Sequence, residues 1–233
     1  MSRKRVAILQ SNYIPWKGYF DLIAAVDEFI LYDDVQFTKN DWRNRNRIKT
    51  PAGAEWISIP VGQAIDRKVS DVLLPAGPWR QKHWKMLEAN YRRAPAFDQL
   101  ASRIAPIYMD AAIDRLSDWN AALINAVCEY LGIRTRIRWC WDYELVEGRV
   151  ERLVSLCRQA GATTYVSGPS ARSYLDPQVF APHGIDVQWF DYAGYPEYPQ
   201  LWGPFEHAVS VVDLLFNCGS ESARFMKFSN KGS

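Results

Sequence analysis

A chain of 233 residues, 48% of them hydrophobic, is long enough to bury a sizeable core, either as one α/β domain or as a main domain with a helical insert. Its 28 basic and 26 acidic side chains leave a formal charge of +2, too balanced for a general nucleic-acid-binding surface, so no nucleic-acid partner is expected. The apolar run after Met1-Ser-Arg-Lys-Arg5 is too short for a signal-peptide core, and no later stretch is long enough to span a bilayer. Cys128, Cys140, Cys157 and Cys218 show no CxxC spacing and read as free thiols, so the expected location is cytoplasmic.

Val6-Ala-Ile-Leu9 is a short apolar run expected to form a buried parallel strand. A polar loop with Pro15 follows. Helical spacing begins near Trp16 and puts Phe20, Ile23 and Ala24 on one face. Glu28 to Phe37 is expected to hold the second strand, with Phe29-Ile-Leu-Tyr32 as its body. By order and length this is a βαβ unit. The 10–15 loop and the 33–49 segment then emerge on one rim, where open α/β sheets bind ligands. Glu55 to Val61 alternates and predicts another strand, and Val69 to Leu74 a weaker one.

Trp79 to Arg92, Phe97 to Met109 and Leu116 to Leu131 carry apolar residues at three- and four-residue spacing and predict helices. Ser117 is a candidate cap for the last, and Gly132 its end. Arg136 to Trp141 reads as a strand with one wet face, and Val150 to Gln159 as a helix closed by Gly161. Thr163 to Val166 predicts a strand running into Ser167-Gly-Pro-Ser170. Ile185 to Phe190 predicts a final strand and Glu206 to Phe216 a final helix. The expected fold is α/β, with a mainly parallel sheet in a βαβ-type layered domain and a helical insert or subdomain. Residues 1–78 would form the N-terminal βαβ part and 79–131 a helical subdomain or layer. Residues 132–228 would complete the same sheet, and 229–233 would be a disordered tail.

Several polar clusters are candidates for a site. Asp33 and Asp34 end an apolar strand, where carboxylates can bind a sugar hydroxyl, hold a cation or act as a base; the plain alternative is a solvated turn. Gln36, Lys39, Asn40 and Asp41 next to them favour function. In an extended segment Arg43, Arg45 and Arg47 would share one face and Asn44 and Asn46 the other. The first face suits phosphate or carboxylate, unless it is only a solvated basic edge. His83 has Lys82, Trp84 and, further along the helix, Tyr91 for company. It can be a general acid/base, a phosphate contact or a structural His. His183 and His207, the latter expected in the first turn of the last helix, receive no role. The three His show no HxxxH or HxH spacing, so no metal site is expected. Gly168-Pro-Ser-Ala-Arg-Ser-Tyr174 can bring backbone N–H groups, the Ser170 hydroxyl and Arg172 to an anion, or simply start a helix. Gly-x-Ser-x-Gly, Walker A and GxGxxG patterns are absent.

The densest segment is Gln10-Ser-Asn-Tyr-Ile-Pro-Trp-Lys-Gly-Tyr-Phe-Asp21, followed by Tyr32-Asp-Asp-Val-Gln-Phe37 and Arg43-Asn-Arg-Asn46. With Trp79–Tyr91 and Gly168–Leu175 it resembles the WbqC-like family, and the resemblance covers most of the chain. It implies a role in O-antigen (lipopolysaccharide) or other surface-polysaccharide synthesis, with transfer of an acyl or aminoacyl (glycyl-type) group to an amino-sugar. On that expectation His83, Asp33 and Asp34 carry the chemistry. Gln10, Tyr13, Trp16, Lys17, Tyr19, Gln36, Lys39, Trp42, Arg43, Asn44, Arg45, Asn46, Tyr91, Gly168, Ser170 and Arg172 bind the substrate. The layout is also similar to the nucleotidylyltransferase and pantothenate-synthetase superfamily. Trp16-Lys-Gly-Tyr19 stands where that superfamily has HxGH, and both histidines are missing.

Three functions fit these residues. One is an N-acyl- or aminoacyltransferase acting on a nucleotide-sugar, with a nucleotide or acyl donor as its small-molecule partner. A second is an ATP-dependent amide-forming ligase, the only one of the three that would need Mg²⁺. The third is a non-catalytic binding module.

Overall fold

Five short parallel strands form the centre of the molecule, in a computed structural model that describes residues 3–227. The expected tail at 229–233 lies outside the described residues. Strand β1 (Arg5–Leu9), helix α1 (Lys17–Ala24) and strand β2 (Glu28–Leu31) make the expected βαβ unit. Strands β5 (Arg136–Trp139), β6 (Thr164–Ser167) and β7 (Asp186–Trp189) join the same sheet, in the order β5-β2-β1-β6-β7. Between β2 and β5 come a two-stranded antiparallel hairpin, β3 (Arg45–Thr50) with β4 (Gly53–Ser58), and three helices: α2 (Trp79–Tyr91), α3 (Phe97–Met109) and α4 (Leu116–Leu131). Helix α5 (Arg149–Gln159) connects β5 to β6, and α6 (Val211–Cys218) closes the fold.

Side chains alternate across each strand, so the sheet has two apolar faces. Ala7, Leu9, Phe29 and Leu31 pack with α1, α2–α4 and α6. Val6, Ile8 and Ile30 pack instead with Leu153, Val154 and Cys157 of α5. Right-handed crossovers require this division. The chain steps from β1 to β2 to β5 in one direction, then returns through α5 to β6 and β7 on the other side of β1. The direction therefore reverses between β1 and β6, which opens a crevice beyond the C-terminal ends of those strands.

Five expectations need correction. The second strand ends at Leu31, because Asp33 is drawn into the core two residues later. Val69–Leu74 is not a strand. Val69–Asp71 form a 3-10 turn in which the Asp71 carboxylate accepts from the Lys68 N–H, and only Leu73 makes a β-bridge, to Arg115. Ser117 does not cap α4: Arg115 is the flanking residue, and the buried Ser117 hydroxyl donates to Asp33. Gly132 ends that helix in the left-handed region at φ +69°. The last helix starts at Val211, capped by Ser210, so His207 lies before it and not in its first turn. Trp56 and Ile57 lie in β4, which pairs with β3 over Gly53–Ser58 instead of running from Glu55 to Val61.

Candidate functional site

The 10–15 loop and the start of the 33–49 segment meet at the rim, and the strongest contacts between them are buried. The Asp33 carboxylate accepts from the Ser11 N–H at 2.8 Å, the Ser11 hydroxyl at 2.6 Å and the Ser117 hydroxyl at 2.6 Å. Asn120 donates to the Ser11 hydroxyl and to the Arg43 carbonyl. Burial raises the pKa of Asp33, partly offset by these donors. Asp33 thus ties β2, the 10–15 loop and α4 together and does not face a cleft.

His83 is also buried. Its Nε2 lies 3.1 Å from the Ser58 carbonyl, an acceptor, so Nε2 carries the proton. Nδ1 then accepts from the Tyr13 hydroxyl at 2.9 Å, which in turn accepts from Tyr108 at 2.6 Å. Burial lowers the His83 pKa to about 4 and raises that of Tyr13. A neutral His with both nitrogens engaged is a structural bridge, and this geometry lends no support to a base there.

Tyr91 and Lys17 are likewise internal. The Tyr91 hydroxyl donates to Asp213 and accepts from the Lys49 N–H. The Lys17 ammonium lies among the rings of Tyr195, Tyr198 and Phe205 and donates to the Pro196 carbonyl; burial lowers its pKa to about 8, against the pull of Asp21. Tyr19 donates to the Gln10 carbonyl.

Two cavities open on either side of the 10–15 loop. The larger, about 1160 Å³, lies at the switch point, over the ends of β1 and β2 and against Tyr165 of β6. Gln10, Asp34 and Gln36 line it, together with Tyr32 and Tyr174 and with four cations to which the sequence assigns no role: Arg67, Lys68, Arg149 and Arg152. Asp34 holds Lys68 at 2.5 Å and Arg152 at 3.1 Å. Arg149 stacks on Tyr174, 3.6 Å from the ring centre. The N-terminus of α5 opens into this cleft at Gly148 and has no side-chain cap. Its first-turn N–H groups favour negative charge, and the Glu151 carboxylate, folded back over Gly148, already supplies one there. Glu151 itself lines a separate hollow. Asp66, Asp71 and Glu147 also line the cleft, giving it four cations and four carboxylates.

The smaller cavity, about 310 Å³, is lined by Asn12, Pro15, Trp16, Trp42, Asn46, His207 and Ala208. Trp16 owes its position to Gly18: a Cβ there would lie 2.4 Å from the Trp16 ring. Arg43, beside Trp42, reaches the Gln10 side chain at 3.2 Å and Asp41 at 3.3 Å, and lines neither cavity.

The remaining expected residues are more scattered. Arg45 stacks on Trp56 at 4.1 Å, Lys39 donates to Gln63 and Asn44 to the Ile59 carbonyl. Asn46 points inward, donating to the carbonyls of Tyr13 and Ile14. Gly168 lies against Tyr192, Ser170 is exposed, and Arg172 lies over Trp189; none of the three lines either cavity. Among the described residues no group of three or more His, Cys, Asp or Glu side chains is placed to hold a metal ion, and no helix is long and apolar enough to cross a membrane.

Fold and cavity together define an α/β protein built on a parallel sheet, with a polar cleft at its topological switch point. The chain belongs to the WbqC-like protein family, whose model matches residues 10–225. It is 56% identical over 227 residues to the uncharacterized protein Rv1507c of Mycobacterium tuberculosis, a match covering 97% of this chain and 98% of that protein. No solved structure matches it significantly.

Proposed function

We propose that this chain is a transferase that binds a nucleotide-linked amino-sugar and adds an acyl or aminoacyl group to its amine, in surface-polysaccharide synthesis of the O-antigen type. The observation that carries this reading is the convergence of Arg67, Lys68, Arg149 and Arg152 on one cleft at the switch point, beside the start of α5. Such a set suits a diphosphate, which accepts from guanidinium and ammonium groups alike. The carboxylates on the same walls would face a ligand that also carries hydroxyls and an amine.

An attacking amine must be neutral and must lose a proton as the N–acyl bond forms and the bond from the acyl carbon to the donor's leaving group breaks, the leaving group departing with that electron pair. Of the three side chains expected to take it, Asp33 and His83 are enclosed, so the role falls to Asp34, with Lys68 and Arg152 held beside it. The test is native mass spectrometry after incubation with nucleoside diphosphates, nucleoside-diphosphate hexosamines and ATP. Retention of the hexosamine conjugate, weakened by Arg152→Ala, supports the reading. Retention of ATP alone, dependent on Mg²⁺, moves it to the ligase; retention with no turnover for any acyl donor moves it to a binding module.

A further inference from the structure

Gly168, Ser170 and Arg172 stay outside both cavities, but the same stretch reaches the switch-point cleft through Tyr174. Its backbone is fixed. Ala171 and Leu175 are buried in the apolar cluster that includes Leu153 and Val154 of α5. The Tyr174 and Leu175 N–H groups both donate to the Ala171 carbonyl, at 3.1 and 2.9 Å. Tyr174 itself stays 40% exposed on the cleft wall, so its ring adds little to the core.

Arg149, the first residue of α5, sets its guanidinium 3.6 Å from the centre of that ring. It is exposed on the same wall, and among the described residues no carboxylate pairs with it. The other cations of the cleft are engaged. Lys68 and Arg152 hold Asp34, and Arg67 donates to the Val61 carbonyl. A planar cation with one face on an aromatic ring offers its other face as a second stacking surface.

We infer that the Arg149–Tyr174 pair is a nucleobase subsite, in which the base lies on the free face of the guanidinium and the Tyr174 ring supports that group from behind. The inference rests on the proposed function and assigns one end of its substrate. The face of a conjugated ring attracts a cation, and the C–H face of a sugar gives it no such attraction, so the pair suits the base and not the hexosamine. The pair is also joined to the rest of the cleft. Arg152 lies three residues after Arg149, on the same side of the helix, and it holds Asp34. Base, diphosphate and amine then run in that order along one wall, from Tyr174 past Arg152 to Asp34. Lys68 and Arg152 serve the phosphates, and Arg149 serves the base.

Isothermal titration of the intact chain with inorganic pyrophosphate, uridine and uridine diphosphate tests this. Arg149→Lys keeps the charge but not the plane. It should weaken uridine diphosphate about fivefold or more, the low end of the range for one stacked base, and leave pyrophosphate within about twofold. Tyr174→Ala should act in the same direction, while Tyr174→Phe, which keeps the ring, should bind like wild type. Saturation-transfer NMR should show the strongest transfer at the uracil ring protons. Both side chains are exposed, and unchanged melting profiles check that the fold is spared. Equal affinity of wild type and Arg149→Lys for uridine diphosphate overturns the subsite. So does equal weakening of uridine diphosphate and pyrophosphate, which makes Arg149 a phosphate contact. In either case, diphosphate binding that is lost in Arg152→Ala keeps the cleft reading. Uridine and uridine diphosphate bound equally through Arg149, with pyrophosphate unbound, support the subsite and remove the cleft reading. No binding of any of the three overturns both.

Discussion

The Tyr13 hydroxyl and the His83 Nδ1 lie 2.9 Å apart inside the core, where burial favours the neutral imidazole. Nε2 donates to the Ser58 carbonyl, and Nδ1 accepts from Tyr13 while the ring is neutral; a second ring proton would need the Tyr13 hydroxyl to turn toward Tyr108, and burial opposes the charge it brings. Protonation would put an unsolvated charge among Trp79, Tyr13 and Tyr108.

Acid should therefore destabilise the protein through His83. The folded pKa of about 4 lies below the ordinary value of 6.5, so the neutral form is the folded form. The contribution is complete above pH 6.5 and is lost as the pH falls toward 4. The full loss is about 3 kcal/mol, as an order of magnitude. Urea denaturation of wild type and His83→Gln between pH 4 and 7 should show the difference between them shrinking in acid. Asp33 and Asp213, whose pKa values are raised, act in the opposite sense but are present in both proteins and so cancel. A pH-independent difference would contradict this account of His83.

Asp33 should matter for stability more than for any ligand. Asp33→Ala leaves the Ser11 N–H and two hydroxyls without their acceptor, and should cost about 3 kcal/mol. Asp33→Asn keeps an acceptor and lets the hydroxyls turn, so it should cost clearly less. Because Ser11 and Ser117 donate to the same oxygen, Ser11→Ala and Ser117→Ala should not be additive. Denaturant midpoints of these four variants and of the Ser11→Ala/Ser117→Ala double variant provide the check; equal stabilities for Asp33→Ala and wild type would contradict it.

Asp33 and Asp34 also show where sequence reading stops. Successive side chains in an extended chain point to opposite sides, so the pair divides, with one carboxylate in the core and the other in the cleft. The sequence names both but not which is which. Helices α3 and α4 were legible to the residue because their apolar spacing is long and regular. The 3-10 turn at Val69–Asp71 was not, because one side-chain bond from Asp71 outweighs a short β-like pattern. Arg67, Lys68, Arg149 and Arg152 come from separate segments that only the topology brings together. One signal for the last two was available: a helix after a parallel strand starts at the C-terminal rim, so its first turn faces the ligand side.

Gly18 should tolerate no side chain while Trp16 keeps its place. An alanine Cβ would collide with the indole at 2.4 Å and push it from Tyr192 and Tyr195, which lie 5.2 and 5.6 Å away between ring centres. Gly18→Ala should cost about 1–3 kcal/mol through overpacking, less a fraction recovered from helix propensity. In a Trp16→Ala background the same change should be neutral or stabilising. A penalty of equal size in both backgrounds would mean that the indole is not the cause.

The cleft cations should control affinity for a diphosphate. Arg152 meets Asp34 and opens onto the cleft beside the start of α5, whereas Arg45 is stacked on Trp56, outside it. Arg152→Ala or Lys68→Ala should weaken uridine diphosphate by about 1.5–3 kcal/mol, or roughly 10–150-fold, the range for a hydrogen bond to a charged group. Arg45→Ala should change it far less. Asp34→Asn frees both cations from their ion pairs, so it should leave diphosphate binding equal or tighter while slowing transfer, since the neutral amide cannot take the amine proton. Isothermal titration at low and raised salt separates these outcomes, because charge-carried binding weakens as salt screens it. If Arg45→Ala proves as damaging as Arg152→Ala, the anion lies over the β3–β4 hairpin and not at the switch point. If Asp34→Asn leaves turnover intact, another wall carboxylate receives the proton.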